Sequence, residues 1–158
     1  MITTEKKLRV LAKLGAVLRE HGILWAAGAS LLLYFKGYAE DFHDLDILIG
    51  ETDPVKMDEI LKDFGPFPES EKGTYATKYF REFEVDGVEV DVIGGFAIVS
   101  QGRVYDCSLQ ASQITAYAEA YGEPIPLHSV SLWRDYYALI GRDARVAMID
   151  QKSFALGD

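Results

Sequence analysis

The sequence predicts an α/β (α+β) fold in which a mixed β-sheet has helices on its flanks. Helical and strand patterns alternate along the first half of the chain, and a turn dipeptide joins two strand-like runs near the middle. With 158 residues, 49% of them apolar and 26% charged, the chain has the size and composition of one folded domain. We therefore expect a single domain over 1–158, with its core motifs in 23–95 and a C-terminal helical part over about 108–158.

The first half of the chain predicts helices and strands in alternation. Residues 3–21 have apolar residues at helical spacing between a threonine cap and Gly22, and "ILWAA" at 23–27 is a short buried strand. "GAS" opens a short helix over "LLLYF", and "LDILI" at 45–49 is the next strand. "TDPVKMDEILKDFG" predicts a helix, because it has an aspartate cap, a proline at the first helical position and a terminal glycine.

The second half begins with a predicted loop and a β-hairpin. "GPFPESEKG" at 65–73 is rich in proline, glycine and charge, which is typical of a surface loop. "YATKYFREFEV" and "VEVDVIG" flank Asp86-Gly87, a dipeptide that favours a tight turn, so we assign Asp86 to the turn. Beyond the hairpin we expect a strand at "FAIV", a helix at "SLQASQITAYAEAYG", an extended edge at "PIPLHSV", and one broken or two consecutive helices at "SLWRDYYALIGRDARVAMIDQKS".

Charge and hydrophobicity restrict the expected partners. The net charge of −9 leaves little clustered positive charge for a phosphate backbone, so we do not expect nucleic acid as a partner. No apolar run reaches the length of about 20 residues that spans a bilayer, and the N-terminus lacks a signal-peptide core. We expect a cytoplasmic protein with no membrane contact. A single cysteine, Cys107, excludes an internal disulfide and a cysteine-rich zinc site, and we interpret it as a packing residue.

Acidic residues stand inside two apolar runs, where an ionised carboxylate is costly to bury without a partner. Asp44 and Asp46 point to one face, because alternate residues of a strand share a face. Asp91 lies on the return strand of the hairpin, opposite its valines, and joins the pair if the two strands are neighbours. Converging carboxylates repel one another, and oxygen-bound divalent cations relieve that repulsion. The pattern predicts a Mg²⁺ (or Mn²⁺) site, with an ordinary solvated acidic face as the alternative.

The "AAGAS" segment upstream favours a phosphate ligand. Gly28 ends a strand and opens a short helix, where a backbone without a side chain lets phosphate approach free N–H groups. Ser30 offers a hydroxyl group. Lys36 could steer a triphosphate toward this turn, and a solvated lysine at a helix end is the alternative.

Several other side chains are open to a site role or a structural one. Lys78 and Arg81, on the first hairpin strand, could face the same cleft. His43 could touch a nucleotide or an acceptor, although a histidine beside a turn is more often structural. Aromatic residues are interpreted mainly as packing, with one hairpin ring as a possible base stack; they are Tyr75, Tyr79, Phe80 and Phe83 in the hairpin and Trp133, Tyr136 and Tyr137 near the C-terminus.

The order of these motifs resembles the nucleotidyltransferase superfamily whose best-known member is DNA polymerase beta. The shared features are a strand, a Gly-small-Ser turn, a short helix, a D-x-D strand and a later strand with one aspartate, over roughly 23–95. The resemblance is nearest to the minimal, small-substrate or toxin-type branch, and "SLWRDYYALIGRDARVAMID" is similar to the closing helices of that branch. It implies a nucleotidyltransferase-like fold with C-terminal helices.

Carried over by residue, the resemblance implies a phosphate-binding turn at Gly28, Ala29 and Ser30, and catalytic, metal-binding carboxylates at Asp44, Asp46 and Asp91. Ala29 stands where the family usually has Gly or Ser, and His43 where a small hydroxyl residue often precedes D-x-D. The first closing helix lacks the lysine that many relatives carry there.

The implied activity is a metal-dependent transfer. A nucleoside monophosphate moves from a nucleoside triphosphate such as ATP to a hydroxyl of a small-molecule or protein acceptor, and pyrophosphate leaves. Two alternatives stay open: a non-catalytic nucleotide- or protein-binding module of the same fold, such as a toxin–antitoxin component, and metal-dependent phosphoester hydrolysis.

Overall fold

A six-stranded mixed sheet with packed helices forms the centre of the computed structural model, which describes residues 2–65, 67 and 77–156. The predicted mixed α/β class is confirmed. The elements are α1 (Thr4–Glu20), β1 (Trp25–Ala27), α2 (Ala29–Phe35), β2 (Leu45–Ile49), α3 (Pro54–Ile60), β3 (Tyr79–Val85), β4 (Val88–Gly94), β5 (Ala97–Ser100), β6 (Arg103–Asp106), β7 (Ala116–Ala120), β8 (Glu123–Leu127), α4 (Val130–Ile140) and α5 (Asp143–Leu156), with 3₁₀ turns at Lys62–Phe64 and Ala111–Gln113.

The main sheet has the strand order β3-β4-β2-β1-β8-β7, and β5 and β6 form a separate hairpin. β2 runs antiparallel to β1 and parallel to β4, whereas β1 runs parallel to β8. The C-terminal end of β1 therefore lies beside the N-terminal half of β2, and β4 follows on the other side of β2. This order brings the turn after β1 and the acidic residues of β2 and β4 to one edge of the sheet.

The β3–β4 hairpin has the predicted turn. Asp86 and Gly87 have φ values of 52° and 85°, the left-handed pair that a two-residue hairpin turn requires. The first strand begins at Tyr79. Tyr75 and most of the predicted loop at 65–73 lie outside the described residues.

The helix predicted over 108–122 is wrong, so the C-terminal part predicted over about 108–158 is α-helical only from Val130 onward. Ala116–Ala120 forms β7, which pairs antiparallel with β8. Alanine and glutamate favour a helix, but intrinsic helix propensity is small in free energy, and pairing with a neighbouring strand outweighs it. Tyr121 and Gly122, with φ of 50° and 82°, make the tight turn that joins the two strands.

The extended segment at "PIPLHSV" is confirmed as the strand β8, but its predicted place at a sheet edge is wrong. β8 lies between β1 and β7. Its prolines, Pro124 and Pro126, suggested an edge because proline cannot donate a ladder hydrogen bond. They are tolerated because β8 pairs with β1 only at its last residue, Leu127.

The helices cover the sheet with the predicted apolar stripes. α1 buries Val10, Leu11, Leu14 and Leu18. The C-terminal segment forms two helices, since Gly141 ends α4 in the left-handed conformation with φ 85°. Among the described residues, no helix combines the length and the hydrophobicity that crossing a membrane requires.

Candidate active site

Three carboxylates meet at the sheet edge formed by β2 and β4. Asp44 immediately precedes β2, Asp46 lies within it, and Asp91 is the parallel partner of Asp46 on β4. Each offers one oxygen that lies within 4.8 Å of those of the other two. The three residues therefore lie close together, as expected. Their role as metal ligands stays a prediction.

Burial and crowding raise the pKa values of Asp46 and Asp91. Desolvation raises the pKa of Asp46 well above its usual value, and the charges of Asp44 and Asp91 raise it further. Desolvation also raises the pKa of Asp91 to about 7, with contributions from Asp44, Glu82 and Glu89. Three half-buried carboxylates that disfavour one another's charge form a hard oxygen donor set, which fits a divalent cation such as Mg²⁺ or Mn²⁺.

The turn between β1 and α2 lies directly beside this cluster. Gly28 caps α2, and its N–H donates to the backbone oxygen of Asp46 over 3.0 Å. Ala29 follows with φ 49°, a left-handed conformation in which a glycine would be less strained. Ala29 and Ser30 line the same cleft as the three carboxylates. The Gly-small-Ser turn and the D-x-D strand thus belong to one site.

Gly28 also makes room for α4. A Cβ atom at this position would lie 2.7 Å from Cζ2 of Trp133, far closer than packed carbon atoms come. Trp133 is buried, and its indole N–H has no hydrogen-bond partner in the part of the chain that the structure describes. α4 therefore packs on the backbone of the turn, so this glycine is required for packing whether or not a ligand approaches it.

The carboxylates, the turn and the C-terminal helices surround a cleft of about 620 Å³. Arg142 and Arg145 lie in its wall, and neither forms an ion pair with a described residue. The Arg145 guanidinium lies 5.9 Å from the ring centroid of Tyr137. Its charge opposes the rise in the pKa of Asp46 that desolvation causes. Two arginines thus face three carboxylates across the cleft.

The sequence analysis missed these arginines. Their only local signal is the pair of arginines in "GRDAR", a segment whose glycine ends α4. Lys36, the predicted cation, does not line the cleft: it caps the C-terminal end of α2, whereas the turn opens the N-terminal end. The assignment of Lys36 to the nucleotide site is therefore corrected, because α2 carries that residue away from the carboxylates.

Lys78 and Arg81 also lie away from the carboxylates. The Arg81 guanidinium donates to both carboxylate oxygens of Asp58, each over 3.0 Å, which turns it toward α3. The Lys78 ammonium lies 3.6 Å from the carboxylate of Glu51.

His43 lines the cleft, as one of its two interpretations required. Its Nε2 atom lies 3.3 Å from the carboxylate of Glu89, and its side chain is largely exposed. The imidazole is therefore accessible to a ligand that enters from the hairpin side.

Comparison with known proteins gives likenesses in structure alone. No protein-family model matches the chain, and no curated protein matches it significantly in sequence. A crystal structure of "a putative nucleotidyltransferase (TM1012) from Thermotoga maritima" superposes with a TM-score of 0.71 at 24% identity, over 96% of this chain and 94% of that one.

Two structures of the antibiotic-resistance factor ANT(2'')-Ia are similar as well. The complex with adenylyl-2''-tobramycin gives a TM-score of 0.62 at 13% identity, over 94% of this chain and 88% of that one. The solution structure gives 0.66 at 12% identity, over 98% and 86% of the two chains. At such low identities the likeness concerns the fold, and it agrees with the fold that the motifs implied. This chain has the nucleotidyltransferase fold.

Proposed function

We propose that this chain is a nucleotidyltransferase, which moves a nucleoside monophosphate from a nucleoside triphosphate to a hydroxyl of a small-molecule or protein acceptor and releases pyrophosphate. The observation that carries the proposal is the convergence of Asp44, Asp46 and Asp91 in one cleft with the Gly28 turn. The shared fold supports it, since the similar structures include "a putative nucleotidyltransferase" and a complex with adenylyl-2''-tobramycin.

The three carboxylates would hold Mg²⁺ or Mn²⁺. Bound there, the cation supplies positive charge that neutralises the phosphates and favours the ionised form of the attacking hydroxyl. Asp44 and Asp46 would provide ligands from the two ends of the D-x-D motif, and Asp91 would provide the third from β4.

The strand order supports one arrangement of the substrate along the sheet edge. The turn after β1, Asp46 on β2 and Asp91 on β4 follow one another across the sheet edge. A triphosphate whose outer phosphates contact the N–H groups of Ala29 and Ser30 would therefore present its α-phosphate at the carboxylates. The acceptor would approach from the β4 side, where Asp91 would receive the proton of its hydroxyl.

Arg142 and Arg145 would bind phosphate oxygens in the role first assigned to Lys36. A guanidinium group can donate two parallel hydrogen bonds to phosphate, and it stays charged at every physiological pH. Both side chains lie in the cleft wall and have no carboxylate partner among the described residues. They would hold the triphosphate during the reaction and stabilise the pyrophosphate that leaves.

A small-molecule acceptor is favoured over a polynucleotide. ANT(2'')-Ia, which has the same fold, was solved with adenylyl-2''-tobramycin, a nucleotidylated small molecule. A net charge of −9 also disfavours a polyanionic acceptor. We infer that the acceptor enters beside His43 and Glu89, on the open side of the cleft.

Thermal melting tests the binding step. ATP, GTP, CTP and UTP, each at millimolar concentration with Mg²⁺ or Mn²⁺, are added to the protein, and at least one pair is expected to raise the melting temperature by mass action. Mass spectrometry of reactions with a metabolite or protein pool then detects the nucleotidylated product. If no triphosphate shifts the transition with either metal, the proposed function fails.

A non-catalytic nucleotide-binding module of the same fold is the second candidate. Ala29 favours it, because its methyl group occupies a left-handed position where a glycine would allow closer approach of phosphate. Triphosphate binding without any product from either pool would support this candidate over the first.

A further inference from the structure

Lys7 is buried in the first turn of α1, although lysine is rarely buried without a partner. Its side chain is 10% exposed and lies in the wall of the candidate cleft. The ammonium donates to Oδ1 of Asp41 over 3.3 Å and to the backbone oxygen of Phe42. It also lies 5.0 Å from the centroid of the Phe42 ring. All of these contacts are to two consecutive residues of one loop.

Asp41 collects further hydrogen bonds from the same region. Its Oδ1 accepts from the Thr4 hydroxyl over 2.9 Å and from the N–H of Phe42 over 2.8 Å. Thr4 and Lys7 both belong to the first turn of α1. One carboxylate therefore joins the start of α1 to the loop that leads into β2.

Phe42 is held from a second side. Its ring is buried and packs on Tyr34 of α2, with 4.9 Å between the ring centroids. Two helices thus fix this residue, one through Lys7 and one through an aromatic contact. Only His43 separates it from Asp44.

Asp44 differs from the other two carboxylates in how its backbone is held. The register of β2 with β4 begins at Leu45, so Asp46 and Asp91 are fixed by the ladder, whereas Asp44 lies just outside it. The position of Asp44 must therefore depend on the loop before it.

We propose that Lys7 is a positioning residue for the metal site: by holding Asp41 and Phe42 against α1, it sets the place of Asp44 relative to Asp46 and Asp91. The expected effect of Lys7 on metal affinity rests on the proposed function. Its expected effect on the loop rests on the contacts alone. Groups that hydrogen-bond directly to a metal ligand typically change metal affinity by about 10- to 100-fold when removed, and Lys7 acts one step further out, through Asp41 and Phe42, so the lower end of this range is expected.

The test compares Lys7→Met with Arg9→Met. Methionine keeps a stem of similar length beside Phe42 and removes the ammonium. Arg9 lies on the same helix in an exposed ion pair of 2.6 Å with Glu5, so its variant is the matched control. Mn²⁺ affinity is measured by electron paramagnetic resonance at a temperature where circular dichroism shows each protein folded, and hydrogen exchange is followed at the amides of residues 42–44.

We expect Lys7→Met to bind Mn²⁺ roughly tenfold more weakly or worse and to exchange those amides faster, and Arg9→Met to match the wild type in both. A lysine that merely stabilises α1 would lower the melting temperature and leave the Mn²⁺ affinity of the folded protein unchanged, which would overturn the inference. Should the wild type itself bind no Mn²⁺, the proposed function fails, and unchanged exchange at residues 42–44 would independently overturn the role of Lys7.

Asp41→Ala provides a second route if Lys7→Met does not fold. The Asp41 side chain is 56% exposed, so its removal leaves the core intact while it abolishes the hydrogen bonds from Thr4, Lys7 and Phe42. Lys7 keeps its hydrogen bond to the backbone oxygen of Phe42 in this variant, so we expect a smaller loss of Mn²⁺ affinity than in Lys7→Met, together with faster exchange at the amides of residues 42–44. If both quantities match those of the wild type, the inference is contradicted.

Discussion

Burial and crowding impose an electrostatic cost on an ionised Asp46. Burial is the largest cause of its raised pKa, and Asp44 and Asp91 add repulsion from either side. Without a cation, this arrangement disfavours the ionised state in which the residues would bind metal. On the proposed function, a bound cation would offset this electrostatic cost.

Asparagine substitutions at Asp44, Asp46 and Asp91 test this balance. Each removes a ligand charge and relieves repulsion, so the free protein should melt at the same temperature or slightly higher. The rise in melting temperature caused by Mg²⁺ with triphosphate should largely vanish in all three variants. Asp86→Asn is the control, because asparagine also suits the hairpin turn before Gly87 and should leave both quantities unchanged.

Two results would contradict this assignment. Small and similar effects at all four positions, within about 0.5 kcal/mol, would indicate an ordinary solvated acidic face. Loss of the ligand response in Asp86→Asn, with Asp91→Asn unaffected, would move the third ligand from β4 to the hairpin turn.

His128 predicts a dependence of stability on pH. It is fully buried, its Nδ1 has no partner among the described residues, and burial lowers its pKa to about 4. The unfolded chain therefore binds more protons below about pH 6.5, so the stability that the neutral ring provides is complete above that pH and is lost as the pH falls toward 4. Between pH 7 and 5 the wild type should lose about 2 kcal/mol more than His128→Leu.

Urea unfolding of both proteins at the two pH values measures this difference. His128→Leu replaces the imidazole, which stacks on Tyr136, with an apolar side chain of similar size that does not titrate. Equal losses in the two proteins would show that His128 does not titrate differently in the folded and unfolded states.

The carboxylates were accessible to sequence reasoning and the arginines were not. Strand periodicity decides which face Asp44 and Asp46 occupy, so a local pattern was sufficient to place these two together. Asp91 was expected beside them on the condition that its strand is a neighbour, which the pairing of β2 with β4 fulfils. Arg142 and Arg145 reach the cleft because α5 folds back on α4, an arrangement that depends on tertiary packing. Lys36 was misassigned for the same reason, since the direction of α2 relative to the sheet is not a local property.

At the scale of elements, the contact between α4 and the turn after β1 couples the C-terminal helices to the site. Gly28→Ala should destabilise the protein by about 1–3 kcal/mol, because the new methyl group would overlap the Trp133 ring. Trp133→Phe frees space at this contact, so the double variant should lose less stability than the sum of the two single variants.

Chemical denaturation of the four proteins gives this double-mutant cycle. Strict additivity would mean that the added methyl group is accommodated without Trp133, and that α4 is not held by the turn. A positive coupling would show that Trp133 restricts the size of the side chain at position 28 even in the absence of a nucleotide.

Of the two hairpins in the main sheet, one was predicted from sequence and the other was not. Asp86-Gly87 is a strong local turn signal, so β3 and β4 were predicted from sequence. Tyr121-Gly122 makes an equivalent turn, but a tyrosine with φ 50° is an unusual choice there, and the alanine-rich β7 favours a helix in isolation. Pairing between β7 and β8, and between β8 and β1, decides the outcome.

At the scale of the whole molecule, the net charge of −9 predicts no appreciable affinity for duplex DNA near physiological salt. Few counterions would be released on binding, so the usual gain in free energy is missing. Fluorescence anisotropy with a labelled duplex measures the affinity over a range of salt concentrations. Tight binding with a steep salt dependence would contradict the prediction and make a polynucleotide acceptor plausible again.

The position of β1 in the sheet has a consequence for the protein during its synthesis. β1 lies between β2 and β8. In addition, Arg19 in the last turn of α1 forms an ion pair with Glu123 of β8, which is 104 residues later in the sequence. A ribosome that adds about 5–20 residues per second takes roughly 5–20 s to proceed from Ala27 to Leu127. Throughout that interval one edge of β1 has no partner, and the stripe of α1 that packs on β7 and β8 is uncovered. A nascent chain that stalls before β8 would therefore expose an open strand edge and an apolar helix face together, a combination that recruits chaperones or leads to aggregation.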